Sequence, residues 1–243
     1  AAVNVRQVTF PENLRTSPAL QAAPVGGAEY LVIAHPNFLA ASAPLAAHRA
    51  SKGFTVVTEN AQAIFDAHGE GLPTPQAIKA YLQNVYDTWV EVPQYVVLVG
   101  DGTWDPKHYQ STTPTYIPPY LYMIDKQGEY AADNRYVTLD GADNLPDMMI
   151  GRLPVNDTSQ LATMIDKIIN YENNPPVGDW RRRGTVIADY PFIDWGDYDF
   201  VLTANLLFGK MPPAPYLREK IYYKVNYLTG ATTKAAIISA WNK

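Results

Sequence analysis

The sequence predicts an α/β fold built on a mainly parallel sheet. Short apolar runs recur along the chain, such as Tyr30–Ala34, Tyr95–Val99 and Gly184–Ala188. Between them lie segments whose apolar residues return at helical spacing, as in Ile78, Leu82, Val85, Tyr86 and Trp89. A strand buried on both faces reads as a continuous apolar run, and strands alternating with helices mean crossover connections in a parallel sheet. With 243 residues, 47% of them hydrophobic, the chain can fill one large domain or two small ones.

Residues 1–28 form a lead-in containing Pro, Ala and Gly, with one candidate short strand at Val5–Phe10. Glu29–Ala34 is the first buried strand; His35-Pro36-Asn37 turns the chain, and Asn37 is a candidate cap for a helix ending before Gly53. Phe54–Thr58 is the second strand. Thr74-Pro75 starts a helix in the cap-then-proline manner, and Tyr95–Asp101 is the third strand, apolar until it ends on Gly100-Asp101. From 102 to 146 Pro, Tyr and Asp dominate, with short strands expected at Tyr120–Ile124 and Arg135–Leu139. Asp147–Val155 then reads as a strand and Thr158–Asn173 as a helix with Leu161, Met164, Ile165, Ile168 and Ile169 on one face. Asn173–Gly178 breaks that helix and marks a subdomain boundary. The alternation resumes with a strand at Gly184–Ala188, a helix near 199–208, a strand at Lys220–Val225 and a helix at Thr232–Trp241. In such an alternation a further strand follows the last helix, so the fold is expected to be unfinished at Lys243.

Composition excludes several classes. The formal charge is −5 and no Lys/Arg stripe exists, which argues against nucleic acid; Arg181-Arg182-Arg183 precedes a strand and reads as a solvated edge. Without cysteine there is neither a disulfide nor a thiolate metal site. No apolar run reaches the ~18–20 residues that span a bilayer. The start, Ala1-Ala2-Val3-Asn4, has no basic-then-apolar signal, so a leader was either never present or has been removed. Seventeen Tyr and twenty Pro with little Lys lean towards an extracellular protein.

Ligands of open parallel sheets collect at the C-terminal strand ends, where His35, Gly100-Asp101 and Asp189 supply polar groups. His35 has no acidic or nucleophilic partner near it in sequence and reads first as a structural histidine; His48, His68 and His108 lack metal-pair spacing. Asp140, Asp143 and Asp147 surround a Gly turn and make either a Ca²⁺-sized ion site or a solvated Asp-rich turn, without the spacing of an EF-hand. Asp101-Gly-Thr-Trp-Asp105 and Asp194-Trp-Gly-Asp197-Tyr-Asp199 are acidic, aromatic loops, read either as lips for a cationic side chain or as turn formers and caps. No Ser elbow and no Gly-rich phosphate loop is present.

Taken in order, Glu29-Tyr-Leu-Val-Ile-Ala-His35, Pro44-Leu-Ala-Ala-His-Arg49, Tyr95–Asp101 with Gly102, Ile117-Pro-Pro-Tyr120, Ala132-Asp-Asn-Arg-Tyr136, Ile150-Gly-Arg-Leu-Pro154 and Ile168-Ile-Asn-Tyr-Glu172 resemble the C25 (gingipain-type, clan CD) cysteine peptidases over residues 28–243. The resemblance implies a caspase-like three-layer αβα sandwich with a mainly parallel sheet in two subdomains: 29–173, and 179–243 as the incomplete start of the second. It also implies a secreted or cell-surface endopeptidase acting on a polypeptide. The family's catalytic pair is a His in a Gly-His-Gly motif at the end of the next strand and a Cys one strand later, both beyond Lys243, so no catalytic residue is assigned here. A structural calcium would fall on Asp101, Asp140, Asp143, Leu145 and Asp147, one ion tying the end of the third strand to the acidic loop. The acid facing a basic P1 side chain would be Asp197, with Asp199 next, in a loop shorter than the family pattern. Two readings follow: one chain of a peptidase completed by a segment or a second chain bearing His and Cys, or a non-catalytic caspase-like scaffold used for surface assembly or binding.

Overall fold

A computed structural model describes residues 18–20, 26–106, 109–124, 128–190 and 200–242. The candidate strand Val5–Phe10 lies outside these. The chain divides into two compact units, residues 1–173 and 174–243.

In the first unit, β1 (Tyr30–Ala34), β2 (Val56–Asn60), β3 (Tyr95–Val99) and β6 (Met149–Leu153) form a parallel sheet in the order β2-β1-β3-β6. All five residues of β1 are buried because both faces of this central strand are covered. Leu31 and Ile33 join Val96, Leu98, Ile64 and Ile78 under α3 (Ala61–His68) and α4 (Pro75–Thr88). Tyr30, Val32 and Ala34 join Phe38, Leu45, Leu161 and Ile165 under α1 (Pro36–Leu39), α2 (Ala43–Ser51) and α5 (Thr158–Asn173). Each fully buried Leu, Ile or Phe contributes roughly 1.5–3 kcal/mol, so the two apolar layers hold the three-layer sandwich. Thr74 caps α4 by accepting the N–H of Ala77, with Pro75 at its first position, as the sequence predicts.

Several expectations are corrected. His35, not Asn37, caps the helix after β1: its Nδ1 accepts the N–H of Asn37 at 3.2 Å. The second strand lies two residues later than expected, and it runs directly into α3, which the sequence reading lacked. The segment expected as a strand at 135–139 is largely a 3-10 turn, Asp133–Val137, packed on α4. A hairpin of β4 (Leu121–Ile124) and β5 (Gly128–Ala131) stands apart from the main sheet.

In the second unit, β7 (Arg183–Ala188) pairs in parallel with β8 (Leu217–Tyr222); α6 (Phe200–Lys210) connects them and α7 (Gly230–Trp241) follows. Its buried apolar cluster is small: Ala188, Ala204 and Tyr222, with Val186 and Val201 packed against it.

Candidate functional site

The parallel register brings His35 and Gly100-Asp101 side by side with Val155-Asn156 at the C-terminal edge of the first sheet. His35 N–H donates to Val99 O at 3.1 Å and Asp101 N–H to Val155 O at 3.0 Å. Gly100 takes φ +138°, a backbone conformation that L side chains rarely adopt, and an added Cβ would stand 2.8 Å from Tyr116 Cβ. Asp101 is spent on this corner. Its Oδ1 accepts the N–H of Gly102 (2.8 Å), its Oδ2 accepts Asn156 Nδ2 (3.1 Å), and its carbonyl accepts the N–H groups of Tyr116 and Ile117. The Tyr116 ring closes the corner edge-on to His35, centroids 5.0 Å apart, and its hydroxyl donates to Asn156 O.

Arg152 in β6 organises the loops behind this edge. Its guanidinium pairs with Asp133 and donates to the carbonyls of Gly100 (2.9 Å) and Ile117 (2.8 Å). Lys79 on α4 plays a similar part at the 133–138 turn, donating to the carbonyls of Arg135 and Thr138, each at 2.9 Å. Burial and the neighbouring Arg135 lower its pKa. Asp105 turns inward and accepts the N–H groups of Tyr109, Gln110 and Ser111. Of the two readings of the Asp101–Asp105 loop, the turn former is the one this carboxylate adopts, while Trp104 stays exposed. Arg152, Lys79, Tyr116 and Asn156 escaped the sequence reading as site residues; only Arg152 lay in a motif, Ile150-Gly-Arg-Leu-Pro154.

The acids expected to share one calcium ion are not brought together. Because β3 and β6 run parallel, Asp147 lies before the entry of the ladder, where Met149 N–H meets Gln94 O, and Asp101 lies beyond its exit. From Tyr95 to Asp101 the strand rises about 20 Å at ~3.3 Å per residue, whereas two ligands of one Ca²⁺ stand within roughly 5 Å of each other. One ion linking Asp101 to the 140–147 loop does not fit. Within that loop, Asp147 Oδ2 accepts the N–H groups of Leu139 (2.6 Å) and Asp140 (3.0 Å), which lower its pKa. Asp143 Oδ1 accepts Leu145 N–H and Asp140 Oδ1 accepts Gly141 N–H. Among the described residues, no three acidic or imidazole side chains gather as a metal group. Asp197 and Asp199 lie outside the described residues.

The three described histidines have structural settings. Burial lowers the pKa of His35, whose Nδ1 is engaged as a cap, and of His68, whose ring meets Tyr81 edge-on. His48 Nε2 lies 2.8 Å from Glu172 Oε2, which also accepts Arg49 Nη1 at 2.7 Å, clamping α2 to α5. With no cysteine in the chain, no thiol stands beside any of them.

The family model for peptidase family C25 matches residues 23–243. The chain belongs to peptidase family C25. Solved structures share the fold of this C25 chain. The Arg-specific cysteine proteinase gingipain R (RgpB) superposes with a TM-score of 0.66 at 22% identity, over 91% of this chain and 46% of that one. The complex of Porphyromonas gingivalis RgpB pro- and mature domains gives 0.60 at 22%, over 80% and 42%. Dimeric latent PorU from the same organism gives 0.53 at 22%, over 63% and 16%. The C25 chain therefore spans less than half the length of these solved relatives. The match to gingipain establishes the mixed α/β fold with its parallel central sheet. No curated protein matches the chain. No helix among the described residues is long and apolar enough to cross a membrane.

Proposed function

We propose that the chain is the N-terminal and central part of a secreted or cell-surface C25 cysteine endopeptidase, whose catalytic His and Cys lie on polypeptide beyond residue 243. One observation carries this reading: C25 family membership over residues 23–243 in a chain that has no cysteine. A cysteine peptidase needs a thiolate and a base, so the thiolate must come from elsewhere. The described part would then supply a scaffold, with Arg152 and Asp133 holding the loops at one sheet edge. The substrate is a polypeptide, and Asp197, with Asp199 as second choice, is the acid that would meet a basic P1 side chain, in a loop shorter than the family pattern. The remainder of the domain arrives on the same chain or on a second one.

The calcium part of this reading is confined to the loop, with Asp140, Asp143, Leu145 and Asp147 as donors and Asp101 excluded by the register. It rests on the family resemblance and on the acids around the Gly141 turn, and binding would have to draw Asp143 and Asp147 away from the loop's own N–H groups. A thermal shift with Ca²⁺ against chelator tests it: the melting temperature rises with Ca²⁺ and the rise disappears in Asp143→Asn. An unchanged melting temperature removes calcium from the proposal.

The enzymatic reading is tested with fluorogenic Arg, Lys and Asp peptides. The 243-residue chain alone is inactive, and the protein expressed from the whole reading frame shows turnover that a thiol blocker stops. A whole reading frame without that turnover leaves the second reading, a caspase-like scaffold for surface assembly or binding.

A further inference from the structure

We propose that the N-terminal edge of the β7–β8 sheet is a binding site for a tetrahedral oxyanion, a phosphate carried by a soluble compound or by a lipid headgroup. The site goes beyond the peptidase reading and holds whether or not the longer protein cleaves peptides. It starts from the three arginines that the sequence reads as a solvated edge. Arg181 and Arg182 close the 3-10 turn Asp179–Arg182, and Arg183 is the first residue of β7. β8 runs parallel to β7, with Arg183 level with Leu217 and Gly184 level with Arg218, so both strands begin at one edge. The connecting helix α6 ends at that edge too: a Cβ added at Gly184 would run into Met211 Cε, just beyond the last turn of α6. Parallel topology thus gathers cations that are distant in the chain. Arg181, Arg182, Arg183, Lys210, Arg218 and Lys220 stand against Asp179 and Glu219, so this edge attracts anions although the whole chain carries −5.

A cleft of about 230 Å³ opens there, lined by Arg181, Arg182, Arg183, Gly184, Tyr216 and Arg218. Its arginines keep bonding capacity. Arg181 donates to Pro175 O and lies over the Trp180 ring, 5.7 Å from the centroid. Arg218 stacks on Phe208 at 5.0 Å. Neither has an acidic partner among the described residues. A guanidinium stacked through its face keeps the N–H groups on its rim directed outward in its own plane. Arg182 pairs with Asp179 in an exposed contact of the kind that contributes little in water. Arg183 Nη1 stands 3.8 Å from Glu219 Oε2, beyond hydrogen-bond length, and its Nε is buried without a hydrogen-bond partner.

The donors come from two directions, the turn before β7 and the start of β8, and this selects the ligand. A carboxylate presents its oxygens in one plane and suits a single arginine fork. A phosphate presents its oxygens around a tetrahedron and takes several forks at once. The cleft is small, with room for one such group and not for a stretch of nucleic-acid backbone. It also lies at the end of β7 opposite to Asp189, which follows the C-terminal end of the strand.

Isothermal titration with sodium tripolyphosphate tests the proposal, on the 243-residue chain and on the protein expressed from the whole reading frame. Both are expected to bind. Arg181→Gln, Arg182→Gln and Arg218→Gln should each weaken binding about tenfold, the weight of one hydrogen bond to a charged group. All three side chains are exposed, so none of these changes empties a core. Lys167→Gln, which removes an exposed cation from α5, should leave the affinity unchanged. Arg218→Lys separates a built site from diffuse charge, because it keeps the charge and loses the fork; binding falls in this variant as well. Wild-type affinity in Arg218→Lys, an equal loss in Lys167→Gln, or no binding at all overturns the proposal. Binding by the 243-residue chain that disappears in the longer protein overturns it too, since the edge is then covered by the protein's own polypeptide. Vesicles distinguish the two sources. Capture on phosphatidylcholine vesicles containing phosphatidic acid, reversed by tripolyphosphate, assigns a lipid headgroup, and tripolyphosphate binding without capture assigns a soluble phosphate.

Discussion

Arg152 Nε donates to Asp133 Oδ2 at 2.7 Å while the rest of the guanidinium serves the carbonyls of Gly100 and Ile117, so one side chain on β6 ties together the end of β3, the following loop and the 133–137 turn. The Arg152 side chain is 13% exposed, and a buried pair that loses one partner leaves the other charge uncompensated. Arg152→Met is expected to cost about 3–5 kcal/mol, read by urea unfolding. Arg152→Lys recovers only part of this, because an ammonium cannot match the planar fork to a carboxylate and two carbonyls at once. Wild-type stability in Arg152→Met would show that the loops hold themselves.

Gly100 is expected to resist substitution more strongly than most glycines in the chain. Alanine there meets the Tyr116 side chain at 2.8 Å on a backbone at φ +138°. Gly100→Ala should destabilise by roughly 1–3 kcal/mol for the backbone conformation alone. Gly53→Ala makes the control: it also has positive φ, but an added Cβ meets nothing within 4 Å. The clash term is the difference between the two unfolding free energies, and equal losses would rule it out.

Glu172 predicts a pH dependence. The hydrogen bond from Arg49, assisted by His48, holds its pKa below the ordinary value near 4.5. The folded state thus keeps this carboxylate ionised at pH values where the unfolded chain has bound a proton. Its contribution to stability is complete above the unfolded value and disappears as pH falls through the lowered folded one. Unfolding free energy measured from pH 6 down to about pH 3 should fall less steeply in Glu172→Gln than in the wild type. Identical slopes would mean that the clamp between α2 and α5 carries no charge-dependent energy.

Lys79 offers a separate test, of the turn it holds. Its ammonium satisfies the carbonyls of Arg135 and Thr138, and Lys79→Met leaves both without that donor. Arg135 O keeps the Thr138 hydroxyl as a donor, and an expected loss of about 1–3 kcal/mol follows from Thr138 O losing its Lys79 partner. Faster amide exchange across Asp133–Val137 in that variant would locate the damage in the turn, and unchanged exchange there would place it elsewhere.

The sequence by itself determined the elements whose signals are local. The helix Thr158–Asn173 has the predicted bounds because its apolar stripe and the Asn-Pro-Pro break after it are both written in consecutive residues. The Thr74-Pro75 start of α4 and the apolar runs that become β1, β3 and β7 were legible for the same reason. What only the tertiary structure decided depends on partners distant in the chain. Arg135–Leu139 carries strand-forming residues, yet Lys79, more than fifty positions earlier, and Arg152, in a later strand, hold the carbonyls and the acid of that segment in a tight turn. Asp101 and Asp147 each stand next to a strand in the sequence, but which ends of the two strands meet is set by the parallel register of β3 and β6, and that register puts the two acids at opposite edges of the sheet.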